Sequence, residues 1–415
     1  DDWCCPLCGV TKADFEPHVA LELPSARDAC AARAEPARAP AREASVVIVG
    51  AGRAGWQMAQ ALRAQDAGLP ITLVTACSGD VYDKPLLSVA CARGLDPQTM
   101  VRETGVDAAR RLGVRLMPHT HAVRVDATRR RLRTTRGTLA YRDLVLAHGA
   151  VARLPAALPA SQCWRINQLS AYQGLRRALG QAPRDVAIIG AGLVGCELAD
   201  DLARGGHRVL LLDAQPRPLA AWLPEAASEK LVAAWATLPL DFVGGVEVAD
   251  VAKIEAGEGS VRSRRRLVCR DGRSFDVDEV VVAAGLETPG RLARTAGLSW
   301  ANGIAVNPST LDTGVPHVHA LGDCISLNGR PLRFIEPIAR QAQAIASRIG
   351  AGTMPACPAS APVLRVKTGS MAITLQGGPA TAGHWVVESE LPDQLIMVRR
   401  QGPEVVGRLT ASRAA

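Results

Sequence analysis

No apolar run in this 415-residue chain approaches 18 residues, which excludes a membrane-spanning helix read from hydropathy. The longest strand-like runs are Ser45–Val49, Val186–Ile189, Val209–Leu212 and Val280–Ala284, and glycine or an acid soon follows each. Lysine is almost missing. Only Lys12, Lys84, Lys230, Lys253 and Lys367 share the 48 cationic side chains with arginine, against 40 acids, for a net charge of +8. The arginines are scattered, with their densest run at Arg262–Arg266, so no nucleic-acid partner is expected. A solvated arginine surface, or one that meets an acidic protein, fits the balance. Cysteine is odd in number, eleven, and dispersed. That excludes a disulfide framework and points to a reduced, cytoplasmic protein. No leader is visible, but the first residue is not methionine, so the chain reads as cut at its start.

What is present is globular. Apolar residues make up 48% and charged residues 21% of the chain, and its length suits two to three domains. Residues 17–44 are rich in Ala, Pro and Arg and read as a linker. From Ser45 a strand, the turn Gly50-Ala51-Gly52-Arg53-Ala54-Gly55, a helix to about Gln65 and a second strand Ile71–Thr75 follow in order. The same order recurs 140 residues later. Strand Val186–Ile189 leads into Gly190-Ala191-Gly192-Leu193-Val194-Gly195, then helix Cys196–Arg204 and strand Val209–Leu212. His121–Arg136 alternates like a hairpin or meander, and 334–349 reads as helix. The tail from Val363 alternates in four runs and is expected to be a small α+β domain that stops without an obvious final element.

A Gly-x-Gly-x-x-Gly turn between strand and helix lets the backbone approach a pyrophosphate, and the helix start offers donors and positive dipole. Two copies predict two dinucleotides, ordinarily FAD and NAD(P)H. An acid is expected about 20 residues on. The second copy has it in Asp213, which can accept from both adenosine ribose hydroxyls and repels a 2′-phosphate, so NADH is preferred; Arg217 is close enough to turn toward a phosphate. The first copy has no acid at Thr75-Ala76-Cys77, and Asp80 is the nearest. Thr75, Ala76 or backbone groups are left to hold that ribose. Ala320-Leu-Gly322-Asp323-Cys324, well beyond both turns, suits an acid presented to ribityl hydroxyls. Ala147-His148-Gly149-Ala150 and the stretch Ala283–Pro289, which holds Gly285, have a strand-then-glycine form suited to crossovers between domains.

Residues 45–415 resemble the pyridine nucleotide–flavin oxidoreductases, and specifically rubredoxin–NAD reductases. The segments that carry the resemblance are Asp80–Ser88, Tyr141–Ala150, Asn167, Gly190–Ala199 with Glu197, Gly322-Asp323-Cys324 and Val366-Lys367-Thr368. The resemblance implies an α/β fold of two Rossmann-like domains plus the small C-terminal domain. An FAD domain (45–152 and 285–352) would hold an inserted NADH domain (153–284), with a cap at 353–415, truncated at its end. It implies that Lys84 and Glu197 flank the flavin N5 edge, as an ion pair. It places Val123, Ile335 and Lys367 against FAD. The opening Trp3-Cys4-Cys5-Pro-Leu-Cys8-Gly9 is similar to the second half of rubredoxin, with residues 1–16 as a truncated half-domain. Cys5 and Cys8 would supply two of the four thiolates of an iron site whose other knuckle the chain lacks.

The implied activity is electron transfer from NADH through FAD to rubredoxin, fused or separate. Disulfide reductases of similar architecture need a paired cysteine beside the flavin, and no such pair occurs from residue 40 onward. Cys77 and Cys91 are the nearest single cysteines to the position used by peroxidase relatives. The open alternatives are another one-electron carrier such as ferredoxin, or an NADH-binding flavoprotein without an efficient acceptor.

Overall fold

The computed structural model describes residues 45–254, 264–353, 356–357, 363–378 and 382–413. The segments read as half-rubredoxin and linker, with Cys5 and Cys8, lie outside the described residues.

Both glycine-rich turns rise from the middle of a parallel sheet. In the first sheet the order is Val318–Ala320, Asp143–Leu146, Val46–Val49, Ile71–Val74, Arg115–Met117. In the second it is Leu240–Val243, Arg208–Leu212, Asp185–Ile189, Glu279–Val282. Strands buried on both faces read as unbroken β-branched and leucine runs, which is what Val46–Val49 and Glu279–Val282 show apart from one acid. In each sheet the chain builds outward from the first strand on one side, then crosses to the other. A ligand at such a sheet binds where this order reverses, beyond the carboxyl ends of the strands. The reversal falls between Val46–Val49 and Asp143–Leu146 in one sheet, and between Asp185–Ile189 and Glu279–Val282 in the other.

The repetition extends to a three-stranded antiparallel side sheet before each crossing strand. It is Ala122–Asp126, Arg131–Thr134 and Gly137–Ala140 in the first copy. In the second it is Val248–Ile254, Arg264–Cys269 and Ser274–Val277. The two crossovers pair with one another, Val151–Ala152 antiparallel to Leu286–Glu287. Asn167 Nδ2 donates to Ala150 O at 2.8 Å and pins the first crossover.

The C-terminal part corrects the sequence reading. Among the described residues from 363 onward there are strands only, in one antiparallel sheet: Leu364–Lys367, Met371–Gln376, Glu404–Arg413, Gln394–Gln401, His384–Leu391. The ten-residue strand Glu404–Arg413, where no final element was expected, lies in the middle and pairs on both edges. Its inward positions include Gly407 and Ala411, small residues that weaken the apolar alternation. One face of this sheet (Val366, Ile373, Leu375, Leu409) shares a core with Leu87, Ala90, Leu198 and Leu202. Burial of such side chains contributes roughly 1.5–3 kcal/mol each.

Among the described residues, no helix is long and apolar enough to cross a membrane.

Candidate functional site

The two turns are built alike because the same three glycines meet the same obstacles. Gly50 and Gly190 both have φ of 108°, and a Cβ on either would overlap the carbonyl of Ala147 or Ala283 on the crossing strand. A Cβ on Gly55 or Gly195 would overlap the carbonyl of Gly50 or Gly190. Gly52 and Gly192 have nothing within 4 Å of such a Cβ. They precede helices Arg53–Gln65 and Leu193–Arg204 in nearly identical extended conformations, and no side chain caps either helix. The first backbone N–H groups of both helices therefore face open space with their positive dipole, which fits a pyrophosphate.

The acids after the second strands differ. Asp213 accepts from Ala191 N at 2.5 Å and Gln215 N at 2.7 Å, so it braces the second turn directly. In the first copy Asp80 is used elsewhere, accepting from Gly105 N at 2.9 Å and Ser78 Oγ at 2.7 Å. Thr75 is buried with Oγ1 3.2 Å from Cys77 Sγ, and Ala76 is exposed. Arg53 pairs with Asp83 at 2.5 Å on the surface.

Gly322-Asp323-Cys324 forms a 3-10 turn against the first cradle. Gly322, at φ 74°, leaves no room for a Cβ beside Ala54. Asp323 and Lys84 act on one another's charge there. Burial lowers the Lys84 ammonium and Asp323 opposes that shift; burial raises the Asp323 carboxyl, and Lys84 and Arg333 oppose it. Arg333 Nη1 also donates to Leu286 O at 2.5 Å, tying the second crossover to this place. Thr288 Oγ1 donates to Asp323 O at 3.2 Å. Gly285, at φ 91°, accepts from Arg153 N at 3.0 Å. Val123 lies on the first side sheet, and Ile335 is exposed just before helix Ile338–Ala351.

The expected Lys84–Glu197 ion pair does not form. Glu197 is 7% exposed and spends its two oxygens on Ser88 Oγ at 2.5 Å and Lys367 N at 3.0 Å. Lys367 thus meets Glu197 through its backbone, and its side chain is exposed.

Two neighbours of Glu197 were missed from sequence. Asp200 accepts from Gly369 N at 2.7 Å, Ser370 N at 3.2 Å and Trp235 Nε1 at 3.1 Å. Asp201 accepts from Cys91 N at 2.8 Å and Ala92 N at 2.9 Å. These three carboxylates, at positions i, i+3 and i+4, share one side of the helix that starts at Gly192. From it they hold the segment after Lys84 and the loop after Lys367. Burial raises Asp201 to about 6 even though Ala92 and Cys91 donate to it. The signal was present as three acids among Leu198, Ala199, Leu202 and Ala203, but nothing local named their partners.

The seven described cysteines are free. Burial raises Cys91 to about 11 and Cys324 to about 12, which suits packed thiols rather than nucleophiles.

Comparison with known proteins gives a consistent set of likenesses. The model of the pyridine nucleotide-disulphide oxidoreductase family matches residues 44–347. The chain is 37% identical over 333 residues to the nitric oxide reductase FlRd-NAD(+) reductase of Aeromonas hydrophila, covering 80% of this chain and 83% of that one. It is 32% identical over 363 residues to the protein of the same name from Vibrio vulnificus, covering 86% and 91%. Among solved structures, the putidaredoxin reductase–putidaredoxin complex superposes with a TM-score of 0.78 at 25% identity, covering 89% of this chain and 90% of that one. The ferredoxin reductase for the CYP199A2 system of Rhodopseudomonas palustris gives 0.77 at 25% identity, covering 88% and 91%.

Proposed function

Because the chain belongs to the pyridine nucleotide-disulphide oxidoreductase family, we propose that it is an FAD-dependent reductase that takes electrons from NADH and delivers them to a rubredoxin-type carrier. The observation that carries this reading is the pair of equivalent cradles whose crossovers meet, with Lys84, Asp323 and Arg333 gathered beside the first. When bound, the flavin converts the two-electron chemistry of NADH into single-electron transfers.

The chain's own residues bind and position. The helix starts at Gly52 and Gly192 hold the FAD and NADH phosphates with backbone N–H groups. Asp213 stiffens the second turn and accepts from the NADH ribose. Asp323 takes a ribityl hydroxyl and favours the charged form of Lys84 at the flavin edge against the burial that lowers it. Glu197, Asp200 and Asp201 fix the Lys84 segment and the Lys367 loop to the NADH-binding helix, so that both cofactors share one rigid reference. In this reading 45–152 with 285–352 binds FAD, 153–284 binds NADH, and 353–415 covers them. Cys5 and Cys8 would supply two of the four thiolates of a fused rubredoxin-type iron site that this sequence does not complete, and the protein works in the cytoplasm. The family name includes disulphide chemistry, but the sequence from residue 40 onward has no cysteine pair for it.

Stopped-flow mixing tests the reading. NADH should bleach the yellow chromophore of the purified protein, and added rubredoxin should then be reduced over many turnovers. A colourless polypeptide that cannot be reconstituted with FAD overturns it. Bleaching without reduction of rubredoxin, ferredoxin or any other added carrier favours a flavoprotein without an acceptor.

A further inference from the structure

The segments that open the two crossovers, Ala147-His148-Gly149 and Ala283-Ala284-Gly285, differ only at their middle residue. Ala147 and Ala283 each lie under the first glycine of a cradle, and Gly149 and Gly285 each take a left-handed turn at φ 71° and 91°. Between them stand His148 in the first copy and Ala284 in the second. His148 follows directly on strand Asp143–Leu146 and Ala147, and so sits where the order of the first sheet reverses. Its Cα is among the atoms nearest to a Cβ built on Gly50.

An imidazole here has an unusual setting. Nε2 is buried and has no hydrogen-bonding partner. The Gly149 backbone favours the charged ring and opposes the effect of burial, and it also acts on the Cys324 thiol, one residue from Asp323. Burial lowers His148 to about 4, so the ring is neutral at ordinary pH. A neutral ring whose Nδ1–H turns to the Gly149 carbonyl leaves a lone pair on Nε2. A buried polar atom without a partner is costly, and such atoms in native proteins have a reason.

We infer that His148 is a binding residue for the flavin dinucleotide, its Nε2 accepting a hydrogen bond from a hydroxyl of the FAD chain that crosses the switch point. The inference rests on the proposed occupation of the first cradle by FAD. The second cradle, with Asp213, carries alanine at the matching position.

The test is FAD affinity, measured by quenching of flavin fluorescence as apoprotein is titrated. His148→Ala should bind FAD about tenfold more weakly, the factor that corresponds to one buried hydrogen bond. His148→Gln, whose side-chain oxygen can accept, should recover part of that loss. NADH affinity should not change. His148→Ala binding FAD as tightly as the parent overturns the inference. Wild-type protein labelled with 15N-histidine gives a readout that does not depend on a variant folding. The His148 Nε2 resonance should move on addition of FAD, and a resonance that stays in place overturns the inference. Failure of the parent itself to bind FAD would instead remove the underlying function.

Discussion

The helices that leave the two cradles start in the same conformation and end in different surroundings. Residues 53–65 and 193–204 align through their glycines, so Gln57, Gln60 and Ala61 match Glu197, Asp200 and Asp201. The first helix buries Trp56, Met58, Ala59 and Leu62 and leaves Gln60 exposed. The second is buried from Gly195 through Ala203, carboxylates included. The first helix is held by apolar packing and by Trp56 Nε1 and Arg63 donating to the backbone carbonyls of Gly79, Leu112 and Gly113. The other is also clamped by charge-assisted hydrogen bonds to backbone N–H groups of two distant segments. The same local motif serves two mechanical roles, and the difference lies in three side chains on one helix face.

The comparison breaks most severely at the shared glycines. Gly50→Val and Gly190→Val should each cost roughly 3 kcal/mol or more, since both backbone conformation and space forbid the side chain. Loss of bound chromophore and of the cooperative melting transition would show it for Gly50. Gly52→Ala is the contrast. It should leave the melting temperature in place while weakening FAD, because only the ligand side is open.

The next effect separates the helices. Asp200→Ala strands three donors, two of them buried, and should destabilise by about 3 kcal/mol, whereas Gln60→Ala at the matching exposed position should stay within about 0.5 kcal/mol. Denaturant unfolding of the two variants measures the gap. Equal values would mean that the carboxylate row does not clamp the second helix.

The smallest effect is a pH dependence confined to that row. Asp201 stands at about 6 in the folded chain against an ordinary 3.8, so the folded state binds its proton more tightly than the unfolded state. Its contribution is greatest below pH 3.8 and is lost as pH rises to about 6. Asp201→Asn should flatten that window of the stability curve. Ala61, in the same place on the first helix, titrates nothing.

The cradles were legible because everything that makes them is within a few residues: strand, three glycines, helix. The Gly322-Asp323 turn was legible from its spacing to them. The carboxylate row was not, because apart from Ser88 Oγ and Trp235 Nε1 its partners are backbone groups 109 to 170 residues away, which leave no mark in the side-chain sequence. The Lys84–Glu197 pair was misjudged for the same reason: the partners that satisfied Glu197 were a serine hydroxyl and a backbone amide. Strand Glu404–Arg413 escaped notice because glycine and alanine face its core, so its central place rests on pairing with both neighbours.

The sequence alone determined that the chain would form two parallel sheets, each opening on a phosphate-sized turn, since short-range sterics and hydrophobic runs allow little else. Only the tertiary structure decided which polar groups are shared between the parts. Burial lowers Lys84, raises Asp201 and Asp323, and leaves His148 Nε2 without a protein partner, and burial is a property of what surrounds a residue in space rather than along the chain.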